Sequence, residues 1–160
     1  MGRAPVKFAE VETPVGVLRL VAGDAGLRGV LWPRESPPPN AAPGDHPVLA
    51  AAEQQLHEYF AGARRTFDLP LDLVGTPFQR RAWLALATIP FATTISYGEQ
   101  ARRLGVPRAA RAVGAANGRN PLSIVLPCHR VVGASGALTG YGGGLDAKRY
   151  LLDHELRVNG

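Results

Sequence analysis

Cysteine is nearly absent from this sequence, which contains a single one, Cys128, in 160 residues. A lone thiol cannot close an intramolecular disulfide, so the chain is not a small secreted domain held together by disulfides. It also cannot supply the several sulfur ligands of a cysteine-rich zinc site, and we expect no metal. A single reduced thiol is what a reducing cytosol permits.

Long apolar runs are also missing. No stretch approaches the roughly 18 apolar residues of a membrane span. The N-terminal segment MGRAPVKFAEVE lacks the apolar centre of a signal peptide. The composition, 46% hydrophobic and 19% charged, is that of a globular chain. We therefore expect a soluble, cytoplasmic protein with no membrane partner.

Acidic residues are scarce in the second half of the chain. Residues 76–160 contain 11 Lys and Arg but 4 Asp and Glu, whereas residues 1–75 contain 7 and 9. The net charge of +5 therefore comes from the second half, which favours a polyanionic partner for that half. An ordinary solvated basic face would give the same charge. Because 16 of the 18 basic residues are Arg, a GC-rich genome could account for part of the excess.

The first half has the pattern of a small β-rich domain. The stretches VKFAEVET, GVLRLVAG and LRGVLW, separated by glycine-containing turns, predict a β-meander. The proline-rich segment PRESPPPNAAPGD predicts a surface loop, and residues 48–62 predict a helix with one apolar face. No catalytic constellation occurs here. We predict that residues 1–75 form a scaffold domain.

The second half, residues 76–160, predicts a mostly helical domain. Thr76 followed by Pro77 indicates a helix start, and Ser96 with Glu99 forms the S-x-x-E pattern of a capping box. The helix after Ser96 should end at Gly105 and the next should begin at Pro107, which is the outline of a helix-turn-helix. A plain helical hairpin would have the same outline.

The predicted helix from Pro107 is unusually smooth, since most of its residues are Ala or Gly, with Arg108 and Arg111 projecting from it. Tight packing in a protein core would explain the small residues. It would not explain two arginines about a turn apart. A helix pressed against nucleic acid, with Arg111 as a probe, would explain both features.

The single thiol lies in the segment IVLPCHRVVG, residues 124–133, which predicts a strand broken at Pro127. Cys128 is either a small buried hydrophobe or a nucleophile. A nucleophile needs a group that promotes its ionisation, and His129 is the neighbour. Adjacent residues of a strand point to opposite faces, so the pair needs either a turn or a bridging water, and we favour the water.

A Cys–His pair usually needs a third group that orients the imidazole. Glu155, at the end of a predicted final helix over residues 147–155, or Asp153 could do so, and the sequence alone does not choose between them. The glycine-rich segment GALTGYGGGLDAK, residues 136–148, predicts a backbone wall that a flat ligand can approach. His57 and His154 fit helix surfaces and His46 fits a loop.

Four segments together resemble the O6-alkylguanine-DNA alkyltransferase family: SYGE, RAVGAANGRNP, PCHRV and the glycine-rich stretch that runs into KRYLL. The resemblance is dense over about residues 76–155 and weaker over residues 1–75. It implies a mixed α/β (α+β) fold, in which a small β-rich N-terminal domain packs on a mostly helical C-terminal domain containing a helix-turn-helix. It also implies single-turnover DNA repair, in which an alkyl group passes from O6-alkylguanine to the protein's own cysteine.

The resemblance implies roles for individual residues. The catalytic set would be Cys128 as alkyl acceptor, His129 as relay of its proton through water, Glu155 as the group that orients His129, Asn120 as brace of the thiol turn, and Tyr97 as hydrogen-bond donor to N3 of the departing guanine. Arg111 would fill the space of the flipped nucleotide. The Cys128 and Val131 carbonyls would accept hydrogen bonds from the exocyclic amine of the guanine. Tyr141 and the Gly142 amide would line the base pocket, and Lys148 would support the active-site loop. Tyr97, Arg108, Ala110 and Arg111 would contact DNA.

The implied partner is duplex DNA bearing O6-alkylguanine, bound by a monomer without a cofactor. Activity on O4-alkylthymine and cooperativity on DNA stay open. Two features depart from patterns within the family: Gly142 stands where some members carry a serine, and the cysteine count rules out the N-terminal zinc site of others. Two alternatives are a non-catalytic lesion-binding protein, although such relatives lack the cysteine, and a Cys-His-Glu hydrolase, which would need an oxyanion hole and would turn over repeatedly.

Overall fold

The computed structural model describes residues 6–160 and divides into two compact units, one ending at Val74 and the other spanning Gly75–Gly160. The N-terminal unit holds a sheet and one helix, and the C-terminal unit holds four helices and a pair of very short strands. The predicted mixed α/β fold, with an N-terminal sheet and C-terminal helices, is confirmed. None of the helices within residues 6–160 has the length and apolarity that a membrane crossing needs.

The N-terminal unit is a four-stranded sheet covered by a helix. The predicted meander forms its first three strands, which pair antiparallel, and a fourth pairs parallel with the first to give the order β3-β2-β1-β4. The elements are β1 (Val6–Thr13), β2 (Gly16–Ala22), β3 (Leu27–Leu31), β4 (Ala41–Pro43) and α1 (Pro47–Phe60). Alternate residues of β2, Leu18 and Leu20, are fully buried, as are Leu56 and Tyr59 of α1.

The prediction of a structureless loop over residues 33–45 is wrong at its end, because β4 lies within it. This strand is three residues long and occupies the edge of the sheet, which is where a strand containing a proline is tolerated. Its pairing partners are residues of β1 far along the chain, and local sequence pattern does not encode them.

The C-terminal unit is built from four helices around an apolar core. Their bounds are α2 (Pro77–Leu86), α3 (Tyr97–Arg103), α4 (Ala110–Gly118) and α5 (Leu145–Asn159), and the short strands are β5 (Ile95–Ser96) and β6 (Val131–Val132). Thr76 caps α2 and forms a reciprocal capping box with Gln79. Ser96 caps α3 as expected, but the Glu99 carboxylate accepts from Arg102 and Arg103.

Buried polar groups fix the three helices α2, α3 and α4 to one another. Gln100 and Asn117 exchange side-chain hydrogen bonds of 3.2 and 2.7 Å, and Gln100 also donates to the Ala82 carbonyl. The indole of Trp83 donates to the Ala116 carbonyl at 2.7 Å. Because an unpaired buried polar group is costly, these bonds favour one relative placement of the helices.

The helix expected from Pro107 begins three residues later, at Ala110. The Ala109 amide donates to the Val106 carbonyl at 2.8 Å, so residues 106–109 form a turn with Pro107 at its second position, where proline is favoured. Arg108 therefore lies in the turn between α3 and α4, and the expectation that it projects from the helix is wrong.

The last helix is longer than expected. α5 begins at Leu145 and continues to Asn159, so that Glu155 lies within the helix and not at its end. The parallel pairing of β5 with β6 was not anticipated: Ile95 aligns with Val131 and Ser96 with Val132. This pairing places the start of α3 beside the segment that follows Cys128.

Candidate active site

Cys128 lies in a single turn of 3-10 helix, Cys128–Arg130, which we call the active-site turn. The Arg130 amide donates to the Pro127 carbonyl at 3.0 Å, and the Val131 amide donates to the Cys128 carbonyl. The prediction of a strand on both sides of Pro127 is wrong except at β6. Because the backbone turns at Cys128, strand geometry no longer requires a water between Cys128 and His129, and the bridging water stays a prediction.

The side chain of Asn120 organises a second turn, over residues 122–126, which directly precedes Pro127 and the active-site turn. Its Nδ2 donates to the Leu126 carbonyl at 2.8 Å, and its Oδ1 accepts from the Leu122 amide at 3.0 Å. The Leu126 amide meanwhile donates to the Leu122 carbonyl, and Ile124 adopts a φ of 75°. These bonds fold residues 122–126 into a compact turn just before Cys128, and the role that the resemblance implies for Asn120, a brace of the thiol turn, stays a prediction.

The thiol of Cys128 is buried, with 7% of the residue exposed. Burial raises the pKa of the Cys128 thiol above its ordinary value. Hydrogen bonds from Asn120 and Ser123 and the positive charge of Lys148 act in the opposite direction without reversing it. The resting side chain is therefore a protonated thiol, and a nucleophilic reaction must remove its proton at the time of attack. Ser123 was not among the residues expected near the sulfur.

His129 is fully buried and forms a short hydrogen bond from Nε2 to Oε2 of Glu155, at 2.7 Å. An ionised carboxylate only accepts hydrogen bonds, so Nε2 carries the proton and Nδ1 is left with a free lone pair. Within residues 6–160, Nδ1 has no hydrogen-bond partner. The structure thus selects Glu155 over Asp153, which is exposed on α5, as the partner of the histidine.

Glu155 is also held by a residue that sequence reasoning missed. The guanidinium of Arg130 donates from Nε to Oε1 at 2.9 Å and from Nη2 to Oε2 at 3.0 Å, and its Nη1 donates to the Ile89 carbonyl at 2.7 Å. The Ala92 amide, in a residue with φ of 63°, donates a further hydrogen bond to Oε1 of Glu155 at 3.1 Å. Two features of the sequence could have indicated this pairing: Arg130 directly follows His129, and its half of the chain contains only four carboxylates with which it could pair.

These contacts set the charge states of the buried pair. Burial lowers the pKa of His129 below its ordinary range, and the hydrogen bond that His129 donates to Glu155 offsets this only in part. For Glu155, burial acts to raise the pKa. The hydrogen bonds that His129 and Arg130 donate and the positive charge of Arg130 outweigh it and hold the pKa far below the ordinary range. The site at rest therefore contains an ionised Glu155 balanced by Arg130, a neutral His129 and a neutral Cys128.

Lys148 lies behind the active-site turn and is almost completely buried, at 1% exposure. Its Nζ donates to the Val131 carbonyl at 2.8 Å, contacts the Thr139 carbonyl at 3.5 Å and stands 6.0 Å from the centre of the Tyr141 ring. Burial lowers its pKa, and Cys128 opposes that shift. Lys148 therefore links α5 to β6 and to the following loop, and the role that the resemblance implies for it, support of the active-site loop, stays a prediction.

The groups expected to form the base pocket differ in their exposure and in the hydrogen bonds that they already make. Tyr141 is half-buried and Gly142 is exposed. The Val131 and Cys128 carbonyls, expected to accept from a guanine amine, already accept from Lys148 and from the Val131 amide. Each carbonyl has two lone pairs, so a second donor can still bind.

Tyr97 is the first residue of α3 and is half-buried. Its ring lies against α4, since a Cβ built at Gly114 would stand 3.6 Å from Cδ1 of Tyr97. Its hydroxyl lies 2.7 Å from Oγ1 of Thr139, in the loop after β6. Nothing in the sequence indicated Thr139, because the contact joins residues 42 positions apart.

The basic residues near the helix-turn-helix fall into two groups. Arg102 and Arg103 are paired with Glu99. Arg108 and Arg111 are exposed and make no hydrogen bond or ion pair through their side chains within the described residues 6–160. Ala110, between them, is half-buried at the start of α4. These two arginines are free to meet an external anion.

The remaining histidines do not join this site. His46 caps α1, where its Nδ1 accepts from the Val48 amide at 3.1 Å. His57 is exposed on α1, as expected. The expectation that His154 lies on a helix surface is wrong, because it is 4% exposed and stacks on Tyr150. In the part of the chain that the structure describes, no cluster of His, Cys, Asp and Glu is suited to a metal ion.

Two family models match the chain. Residues 6–73 match the ribonuclease-like domain of 6-O-methylguanine DNA methyltransferase, and residues 77–157 match the DNA-binding domain of the same family. The chain belongs to this family. The predicted resemblance to O6-alkylguanine-DNA alkyltransferases is thereby confirmed.

Relatives and solved structures agree with the family models. A methylated-DNA–protein-cysteine methyltransferase of Mycolicibacterium paratuberculosis is 50% identical, over 95% of this chain and 93% of the relative. The constitutive enzyme of that name from Bacillus subtilis is 43% identical, over 92% and 94%. The crystal structure of Mycobacterium tuberculosis OGT in complex with DNA matches with a TM-score of 0.88 at 48% identity, covering 95% of this chain and 94% of the other.

Proposed function

We propose that this chain repairs DNA by moving an alkyl group from O6-alkylguanine to its own Cys128, once per molecule. The observation that carries the proposal is that the only thiol in the sequence lies in the same turn as its neighbour His129, a buried, neutral imidazole that Glu155 holds and whose Nδ1 has no partner within residues 6–160, with Glu155 held in turn by Arg130. The names of the relatives, methylated-DNA–protein-cysteine methyltransferases, and the DNA complex of the mycobacterial protein support it.

In this proposal the thiol proton of Cys128 passes to the free Nδ1 of His129, directly or through one water, and the imidazolium is stabilised by Glu155. The sulfur attacks the alkyl carbon, the S–C bond forms and the C–O6 bond breaks with its electron pair on guanine. Tyr97 donates to N3 of the departing base, which offsets the developing negative charge. The proton on His129 leaves to solvent, and solvent makes good any proton that Tyr97 gives up.

The product is a thioether, which has no low-barrier route back to a thiol. Each molecule is therefore consumed by one reaction, and neither metal nor cofactor takes part in our scheme. The pocket for the base would be lined by Tyr141, the Gly142 amide and the Val131 carbonyl, with Lys148 fixing the loop from behind.

The alkyl group lies on a base edge inside the duplex, so the nucleotide must leave the stack, at a cost of a few kcal/mol. We propose that Arg111 occupies the vacated space and that Arg108 binds a neighbouring phosphate. The small side chain of Ala110 would let the backbone of α4 come close to the groove. Tyr97 would then meet the flipped nucleotide from α3.

We assign DNA binding and catalysis to residues 76–160 and a scaffold role to residues 1–75. The partner is duplex DNA bearing O6-alkylguanine, bound by a monomer in the cytoplasm. Cooperative binding along DNA and action on O4-alkylthymine are compatible with this assignment.

The test is a titration of the protein with a duplex that carries radiolabelled O6-methylguanine. We expect the label on protein to saturate at one methyl group per chain and to map to the peptide containing Cys128. Cys128→Ser should accept none, because an alcohol with an ordinary pKa is a much weaker nucleophile than a thiol that His129 can deprotonate. Ser135, seven positions after Cys128, is a nearby hydroxyl that should carry no label, so it serves as an internal control for the mapping. Label released to solvent in many equivalents per chain would contradict the proposal.

A further inference from the structure

The hydroxyl of Thr139 is the one polar side chain that meets the Tyr97 hydroxyl within the described residues, at 2.7 Å between the two oxygens. This is the ordinary distance of a good O–H···O hydrogen bond. Either oxygen can be the donor, because both groups carry one proton and accept through lone pairs. A tyrosine that must donate to a substrate therefore already has a partner able to donate to it.

The surroundings of Thr139 hold its side chain in that direction. Threonine is branched at Cβ and is stiff about χ1. A Cβ built at Gly133 would stand 3.5 Å from the Thr139 methyl, and the backbone carbonyl of Thr139 is contacted by Nζ of Lys148. The methyl group thus faces β6 while the hydroxyl faces α3. Rotation of the O–H bond alone reverses the direction of the Tyr97–Thr139 hydrogen bond.

We infer that Thr139 is a positioning residue for alkyl transfer, which donates its proton to the Tyr97 oxygen while Tyr97 donates to the guanine. This inference rests on the proposed function and concerns the same site. At rest Tyr97 donates to Thr139. When the base enters, the Thr139 O–H rotates and donates to Tyr97, which turns its own proton to N3 of guanine.

The hydrogen bond from Thr139 would stabilise the transition state electrostatically. As the C–O6 bond breaks, negative charge moves onto the guanine ring, and part of it reaches the Tyr97 oxygen through the hydrogen bond. A hydrogen bond from Thr139 to that oxygen stabilises the charge, and linked hydrogen bonds strengthen one another. Because the bond is stronger in the transition state than at rest, it should change the rate of transfer and leave DNA affinity unchanged.

The test compares four variants: Thr139→Val, Thr139→Ser, Tyr97→Phe and the double variant Thr139→Val/Tyr97→Phe. Single-turnover transfer is measured at saturating O6-methylguanine duplex, and affinity is measured with the undamaged duplex. We expect Thr139→Val, which keeps the shape but loses the hydroxyl, to transfer about tenfold more slowly with unchanged affinity. Thr139→Ser should restore the rate to within about twofold, since serine keeps the hydroxyl but not the stiff branch.

The double variant separates positioning from folding. If Thr139 acts through the Tyr97 oxygen, Thr139→Val costs nothing further once that oxygen is gone. Thr88→Val, which removes a hydroxyl bonded to the Ala85 carbonyl at an exposed helix end, should match the unsubstituted rate. Equal rates for Thr139→Val and the unsubstituted protein, or an undiminished tenfold loss in the Tyr97→Phe background, would overturn this inference alone. No transfer by the unsubstituted chain would overturn the proposed function and this inference with it.

Discussion

Replacing Glu155 with glutamine should lower the free energy of unfolding by about 3–5 kcal/mol, the cost of leaving one member of a buried ion pair without its partner. The buried guanidinium of Arg130 would lose the charge that its Nε and Nη2 now bind, at 2.9 and 3.0 Å. Glutamine has nearly the same shape, so the loss would come from charge and not from packing. The measurement is a urea unfolding curve followed by circular dichroism at neutral pH.

The same substitution should slow alkyl transfer by about a hundredfold, a typical contribution of a general base. Without an anionic partner, the imidazolium that forms when His129 takes the thiol proton is no longer stabilised. Asp153→Asn is the matched control, because Asp153 is exposed on the same helix two residues away. It should change unfolding by less than about 0.5 kcal/mol and leave transfer as it was. A Glu155→Gln protein as stable as Asp153→Asn would contradict the ion-pair assignment.

Replacing Arg111 with alanine should slow repair in a duplex by about a hundredfold while leaving the reaction with free O6-benzylguanine nearly unchanged. Arg111 is exposed in the first turn of α4 and has no side-chain partner within residues 6–160, so its removal should not disturb the thiol. A nucleotide that leaves the stack costs a few kcal/mol, and a side chain that fills the gap offsets part of this. Free base needs no extrusion and so does not need the arginine.

The two rates are measured in single turnover, with duplex at saturating concentration so that affinity does not contribute. Arg119→Ala is the control, since Arg119 is exposed at the other end of α4 and its loss changes net charge by the same amount. We expect Arg119→Ala to retain the rate on both substrates. Equal losses on duplex and free base for Arg111→Ala would contradict the role in extrusion.

The fold and the site differ in how far local sequence determines them. The first three strands follow from alternating apolar residues, and α2 follows from Thr76 and Pro77, because these signals act over a few positions. The strand expected before Pro127 fails because the side chain of Asn120 bonds the backbone at Leu122 and Leu126. An apolar run such as SIVL fits a buried turn as well as a strand.

Contacts between distant residues account for most of what the sequence did not indicate. The adjacency of Cys128 and His129 is visible in the chain, but the choice of Glu155 over Asp153 depends on which face of α5 meets the active-site turn. Arg130 and Thr139 take part through pairings with residues 25 and 42 positions away. No periodicity encodes such pairings, and a family resemblance supplies them only where members share the residue.

We propose that Cys128 and His129 react as a neutral thiol and a neutral imidazole, with one proton that moves from the sulfur to Nδ1. Burial lowers the pKa of His129 below 6.5 and raises the pKa of Cys128 above 9.0. At any pH between these two pKa values the thiol keeps its proton and Nδ1 of His129 is free to accept it. The rate of a reaction through the pair is constant over that interval, and falls only where the imidazole becomes protonated, at lower pH. In His129→Gln, with no base to take the proton, the rate should instead rise with pH as the free thiolate forms.

The decisive measurement is the rate of transfer from free O6-benzylguanine to the unsubstituted protein between pH 6.5 and 9.0, in single turnover. Free base is used so that the pH dependence of DNA binding does not enter. We expect a flat profile across this interval for the unsubstituted protein and a rising one for His129→Gln. A rate for the unsubstituted protein that climbs about tenfold per pH unit, as a lone thiol ionises, would contradict it.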